Sequence, residues 1–313
     1  MKKEVVIATR GSKLALWQAE YIKNEIEKHH KNILCRLEII KTMGDKILDV
    51  PLAKIGGKGL FVKEIETALL EKKADLAVHS MKDVPMELPA GLELFESPAC
   101  EAPQDAFLSI KYNSLDELPK GACVGTSSLR RKCQLLELRP DLEVVDLRGN
   151  VQTRMQKLTD GMYDAIILAY AGLKRLEVTE NIKEILPVEK MLPASCQGIL
   201  GIEIRSGDNE IKEILSFIGH KDSYTRARCE RAFLRKLQGG CQIPIGCHSV
   251  LTGNKIYVKG IIYNLDGSKK IAKEYTGNKA NPEEAGIKLA EMVLAAGGDK
   301  ILKEIYSQVY ENF

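Results

Sequence analysis

Four stretches of this sequence put arginine where an apolar run gives way to a helix-like segment: Arg10-Gly11-Ser12, Thr126-Ser127-Ser128-Leu129-Arg130-Arg131, Arg148-Gly149-Asn150 with Arg154, and Lys174-Arg175. A helix start offers unpaired backbone N–H groups and a capping hydroxyl. A guanidinium beside them pairs bidentately with a carboxylate or phosphate. Taken singly, each stretch reads equally as a plain N-cap with a surface arginine. Their recurrence at successive strand ends is what a small ligand with many negative charges requires, and it predicts an arginine-lined cleft.

Three other segments bear reactive groups. Lys54-Ile55-Gly56-Gly57-Lys58-Gly59 is basic and glycine-rich but lacks the G-x-x-x-x-G-K-[ST] spacing of a nucleotide loop. It is either a mobile loop carrying Lys54 and Lys58 over a cleft or an ordinary connection. In His79-Ser80-Met81-Lys82-Asp83-Val84-Pro85, the Asp83 carboxylate beside Lys82 stays ionised and could stabilise developing positive charge or accept a pyrrole-type N–H. An aspartate before a Val-Pro turn serves structure as readily, and His79 has no partner nearby and reads as a packed core histidine. In Gln238-Gly239-Gly240-Cys241-Gln242-Ile243-Pro244, the glycines and the proline make a tight loop that presents a sulfur. Its thiolate could form a covalent bond, although the residue type by itself favours an inert buried thiol.

The elements that must position these groups follow from the apolar pattern. Val5 to Thr9, Leu34 to Ile40 and Asp75 to His79 read as strands; Lys13 to His29, with Leu14, Trp17, Tyr21 and Ile22 on one face, and Phe61 to Leu70 read as helices. The rhythm repeats after about residue 100, where Asp164 to Ala169 reads as a central parallel strand. Ser12 and Asn150 stand at N-cap positions. The pattern predicts two doubly wound α/β halves with parallel sheets, whose ligands bind at the carboxyl ends of the strands. Lys255 to Tyr263 and Lys269 to Tyr275 alternate around an Asp266-Gly267 turn, and helices at Pro282 to Ala296 and Lys300 to Tyr310 flank Gly297-Gly298. This predicts a smaller α+β domain with an antiparallel sheet. The expected domains are 1–99 with 200–217, then 100–199, then 218–313.

Composition limits the partners. The 313 residues carry a net charge of only +3, which argues against a nucleic-acid field. The apolar run Val5-Val6-Ile7-Ala8 stops too soon for a signal peptide, and no run reaches the ~20 residues needed to span a bilayer. A cytoplasmic protein is expected, without membrane or nucleic-acid partners. The eight cysteines show no zinc-ligand spacing, so no metal is expected and most should be free thiols. A non-catalytic anion-binding protein fits the same α/β halves and cleft.

Taken together, the segments resemble the porphobilinogen deaminase (hydroxymethylbilane synthase) family. The resemblance rests on Ala8-Thr9-Arg10-Gly11-Ser12-Lys13-Leu14-Ala15-Leu16, Gly56-Gly57-Lys58-Gly59-Leu60-Phe61 and Ala77-Val78-His79-Ser80-Met81-Lys82-Asp83-Val84-Pro85. It rests also on Gly125-Thr126-Ser127-Ser128-Leu129-Arg130-Arg131, Leu147-Arg148-Gly149-Asn150-Val151, Leu192-Pro193-Ala194 and Gly239-Gly240-Cys241. It implies a monomeric transferase with two domains like those of periplasmic binding proteins flanking a cleft, plus the α+β domain carrying the cofactor cysteine. It implies that four porphobilinogen molecules join stepwise with loss of ammonia and that a linear tetrapyrrole is released by hydrolysis. The primer it implies is a dipyrromethane cofactor, thioether-linked to Cys241. Asp83 takes the catalytic position, as a buried carboxylate facing the cation left by ammonia loss. Cofactor binding falls on Asp83, Lys82, Thr126, Ser128, Arg130, Arg131, Arg148 and Gln197. Substrate binding falls on Arg10, Ser12, Gln18, Arg148, Arg154 and Arg175, and Lys54 and Lys58 fall on the loop over the cleft. Cys196, Gln238 and Met43 depart from the family pattern.

Overall fold

The computed structural model describes residues 2–46, 62–240 and 243–310. Lys54, Lys58 and Cys241 lie outside the described residues. The chain gathers into two compact units, the first of which takes Ile199–Tyr224 back from beyond the second.

The first unit is built on β1 (Glu4–Thr9), α1 (Lys13–His29), β2 (Leu34–Ile39), the short α2 (Met43–Lys46), α3 (Lys63–Leu70), β3 (Leu76–Ser80) and β4 (Leu92–Phe95), completed by β10 (Leu200–Arg205) and α7 (Asn209–Leu215). Its sheet runs β2-β1-β3-β10-β4. The central strands β1 and β3 are largely apolar because both their faces are covered, whereas the edge strand β2 exposes Leu34, Arg36 and Ile39. Val5, Ile7, Val78, Ile202 and Ile204 meet Ala19, Ile22 and Ile26 of α1 and the isoleucines of α7 on one side. Ala8 and Ala77 meet Ile65 and Leu69 of α3 on the other.

The second unit opens on β5 (Asp105–Leu108). It continues through β6 (Cys123–Gly125), α4 (Leu129–Leu138), β7 (Glu143–Val145), α5 (Val151–Thr159), β8 (Ala165–Ala169), α6 (Tyr170–Arg175) and β9 (Ile182–Leu186). Its sheet runs β7-β6-β8-β5-β9. The two orders are equivalent: three parallel strands, then one strand from elsewhere in the chain, then an edge strand.

Both sheets are mixed, which corrects the expectation of parallel sheets. β10 pairs antiparallel with β3 and β4, and β5 pairs antiparallel with β8 and β9. β8 is therefore parallel to β6 alone. A second correction concerns α1. Its buried residues are Gln18, Ala19, Ile22 and Ile26, while Trp17 is 36% exposed and stacks on Tyr21. The core stripe is rotated because Gln18 has a partner inside.

The second unit also holds most of α8 (Lys221–Lys236) and a three-stranded antiparallel sheet, β11 (Ile245–Thr252), β12 (Lys255–Tyr263) and β13 (Lys270–Asn278). α9 (Pro282–Val293) packs on it, and a kink at Gly297 (φ 102°) leads to α10 (Asp299–Tyr310). A Cβ at Gly286 would sit 2.1 Å from Cys229 O, so only glycine lets α9 approach α8 that closely. Among the described residues no helix is long and apolar enough to cross a membrane, and no cluster of His, Cys, Asp and Glu could hold a metal ion.

Candidate active site

In the first unit the groups gather at the carboxyl ends of β1 and β3. β1 runs into Arg10-Gly11-Ser12, and Ser12 caps α1 by accepting from Ala15 N at 3.3 Å. One turn further on, buried Gln18 donates from Nε2 to Ser80 Oγ at 2.8 Å, tying the start of α1 to the end of β3. The chain then makes a 3-10 turn, Met81–Asp83, and Met81 N bonds Ile199 O at 2.9 Å. Met81 points into the core, 1% exposed, and Asp83 faces outward. The expected buried carboxylate is thus exposed, because so short a turn gives its single inward position to Met81. The Asp83 carboxylate forms no hydrogen bond or ion pair with any described residue, and Lys82 beside it is half-buried.

His79 is a buried histidine, as expected, and its partner comes from β10. Its Nε2 lies 3.0 Å from Glu203 Oε2. Burial, reinforced by the Glu203 charge, pushes the carboxyl of neighbouring Glu66 up to about 7 against the pull of His79.

In the second unit the groups sit at the ends of β6, β7 and β8. Buried Thr126 accepts Ser128 N at 3.2 Å through Oγ1, and Ser128 caps α4. Asn150 caps α5, accepting Thr153 N at 2.9 Å. Gly149 before it holds φ 111°, the left-handed region that favours glycine. The Arg148 guanidinium forms no hydrogen bond or ion pair with any described residue and is half-buried. Arg154 donates to Gly149 O at 2.8 Å, and buried Arg175 donates to Gly198 O at 2.7 Å.

Arg130 and Arg131, at the first turn of α4, are buried and turned onto Asp105, which is 0% exposed. Arg131 grips Asp105 Oδ1 side-on, from Nε at 3.0 Å and Nη2 at 2.7 Å. Arg130 Nη1 sits 2.8 Å from Oδ2 as an ion-pair contact, while its aligned hydrogen bond goes to Leu192 O at 2.7 Å. Gln197 adds Nε2 to Asp105 Oδ1 at 2.9 Å and to Pro103 O at 2.6 Å. The flanking guanidinium charges hold the Asp105 carboxyl far below its usual range despite full burial.

Sequence reasoning missed Asp105, Gln134 and Glu230. Glu230, 1% exposed on α8, accepts Cys196 N at 2.6 Å and both Ser249 N and Ser249 Oγ at 2.8 Å. It thereby holds Cys196 in a left-handed conformation, φ 62°. The signal for Asp105 was a carboxylate opening an otherwise apolar strand, Asp105-Ala106-Phe107-Leu108.

Each unit thus carries strand-end arginines and capping hydroxyls, donors of the kind that pair with carboxylates. The comparisons give the family. The model of the porphobilinogen deaminase dipyromethane cofactor binding domain matches residues 5–213, and that of the porphobilinogen deaminase C-terminal domain matches residues 224–295. The chain is 55% identical over 307 residues to a porphobilinogen deaminase of Nitratidesulfovibrio vulgaris strain DP4, covering 97% of this chain and 98% of the relative. It is 53% identical over 309 residues to that of strain DSM 19637 / Miyazaki F, covering 97% and 98%. A putative methionine-binding lipoprotein of Bacillus subtilis aligns over 69% of this chain and 90% of its own at TM-score 0.43 and 14% identity, too distant to bear on function. The chain belongs to the porphobilinogen deaminase family. It is a transferase of tetrapyrrole biosynthesis whose cofactor is a dipyrromethane.

Proposed function

We propose that this chain joins four porphobilinogen molecules head to tail, with loss of ammonia at each step, and releases hydroxymethylbilane by hydrolysis, using the residues just described. The observation that carries the reading is the state of Asp83 and Arg148. The fold positions both and gives neither a partner among the described residues, so a carboxylate and a guanidinium are left for a ligand.

The donors also suit the cofactor. Arg130 Nε is buried with no hydrogen-bond partner among the described residues, Ser128 and Thr126 offer hydroxyls beside it, and Arg148 is unpaired. A dipyrromethane carries several carboxylates, and these donors answer them. Bound, it supplies a tethered pyrrole end on which the chain grows. In this reading Lys82, Thr126, Ser128, Arg130, Arg131 and Arg148 hold its carboxylates, and Arg10, Ser12, Gln18, Arg154 and Arg175 orient the incoming porphobilinogen.

Asp83 does the chemistry. Porphobilinogen that loses ammonia becomes cationic, and an ionised carboxylate beside it lowers that barrier. The same carboxylate accepts the pyrrole N–H and takes up the proton released when the new bond forms. Cys241 supplies the thioether anchor, so the intermediates stay in place between rounds. The seven described cysteines are free thiols, which supports a reducing cytoplasmic setting. We take the working state to be a monomer.

Intact-protein mass tests the anchor. The freshly purified chain should exceed its sequence mass by a two-pyrrole adduct, and Cys241→Ser should not. An active enzyme of unmodified mass would sink the covalent primer.

A further inference from the structure

We propose that Asp105 is a positioning residue for the reaction: it fixes the planes of Arg130 and Arg131 and cancels one of their two charges. The inference rests on the reading of these arginines as cofactor ligands.

Three observations lead to it. Asp105 is completely buried at the first residue of β5, and its carboxylate is surrounded by Arg130, Arg131 and Gln197. Both arginines stand in the first turn of α4, just inside the Ser128 cap. An unbraced arginine there would have rotamer freedom about four side-chain torsions and would point with the helix start toward solvent. Here both are 6% exposed or less.

The brace is asymmetric, and the asymmetry has a use. Arg131 gives Asp105 its Nε edge and gives Ile167 O a further hydrogen bond at 3.0 Å, so its plane is set from two sides. Arg130 gives up only Nη1, to Leu192 O and Asp105, and keeps Nε without a partner. Arg131 therefore acts as the fixed member and Arg130 as the one with donors to spare. Two guanidiniums and one carboxylate leave one net positive charge in a buried place. Two bare guanidinium charges there would repel each other and would grip any carboxylate too firmly for a ligand that must shift as it lengthens.

Gln197 belongs to the same brace. Its Nε2 is divided among Pro103 O, Gln104 O and Asp105 Oδ1, so it braces the same carboxylate oxygen that Arg131 grips.

The test uses the full-length holoenzyme and the variants Asp105→Asn and Asp105→Glu, with intact mass, thermal melting, kcat and KM for porphobilinogen measured on each. Asn keeps the shape and removes the charge; Glu keeps the charge and displaces it. Asp105→Asn should load cofactor incompletely, and its loaded fraction should lose at least tenfold in kcat with KM changed less than about threefold, because other arginines read the substrate. Asp105→Glu should regain cofactor loading but only part of kcat. A loaded Asp105→Asn enzyme with wild-type kcat, however much its melting point falls, would overturn the proposal and leave Asp105 a structural residue. Should Asp105→Asn fail to fold, Asp105→Glu decides: wild-type kcat in it overturns the positioning role, and a reduced kcat at full loading supports it. A wild-type enzyme with no adduct would instead defeat the cofactor reading on which the inference rests.

Discussion

Gln134 pairs with Leu192 as one strand residue pairs with another: its Oε1 accepts Leu192 N at 2.7 Å and its Nε2 donates to Leu192 O at 3.0 Å. Arg130 Nη1 donates to the same carbonyl, and Cys247 N of β11 bonds Pro193 O at 3.0 Å. A side chain from α4 and a strand from the small sheet thus grip one short stretch of backbone. Gln134→Leu leaves the Leu192 amide buried without a partner and should cost about 1–3 kcal/mol, read as a lower urea midpoint at unchanged m-value. An unshifted midpoint would show that water accepts from the Leu192 amide in place of Gln134.

Asp83→Asn should keep the two-pyrrole adduct and lower kcat by roughly 10²–10⁴-fold, since it removes both the charge and the proton acceptor. Asp83 is exposed and unpaired within the described residues, so the melting temperature should barely move. Turnover within tenfold of wild type would place the chemistry on another group.

Arg148→Ala should also melt like wild type, because no described residue loses a partner. Brief exposure to porphobilinogen followed by intact mass should show short adducts accumulating. The loss in kcat/KM should be about 10- to 100-fold, the worth of one charged hydrogen-bonding partner. A wild-type ladder of adducts would reduce Arg148 to a solvated helix start.

Glu66 gives a pH signature. Its folded carboxyl is raised from 4.5 to about 7 by burial first and by Glu203 second, with His79 opposing. A raised carboxyl favours folding while protonated, so its contribution is complete below about pH 4.5 and is lost as the pH rises through 7. Glu66→Gln, which stays neutral, should gain stability relative to wild type between pH 5 and pH 8, by on the order of 2 kcal/mol. Parallel melting curves of the two proteins across that range would contradict the assignment.

What was legible in the sequence is what local chemistry decides. Ser12 and Asn150 cap helices from positions where an oxygen need only reach an amide three residues on. α1 runs Lys13–His29 as the pattern predicts, yet its stripe is turned, because Gln18 finds Ser80, 62 residues away. Apolar runs mark strands but not their direction, so the sheets were expected to be parallel, and the antiparallel β5 and β10 that make them mixed were not anticipated. The arginines of α4 stood out by type and place as candidates for an anion site. Their burial was not legible, since it depends on Asp105 more than twenty residues earlier. Asp83 stood out only as a candidate carboxylate, while its exposure follows from Met81 filling the core beneath the turn.

β10 lies between β3 and β4, yet it is encoded after every strand of the second unit's five-stranded sheet. During synthesis, β2-β1-β3 therefore emerges with an open edge and stays so while β5 to β9 are made, and those strands can pair as an uninterrupted stretch. The unit bearing Asp83 begins first, yet its sheet closes only after the second unit's five-stranded sheet has been made. A nascent chain stalled with β9 outside the ribosome and β10 still inside the exit tunnel should have a second sheet that resists protease and a first that remains cleavable. Asp83, which follows β3, would then settle only after the five-stranded sheet of the other unit has formed.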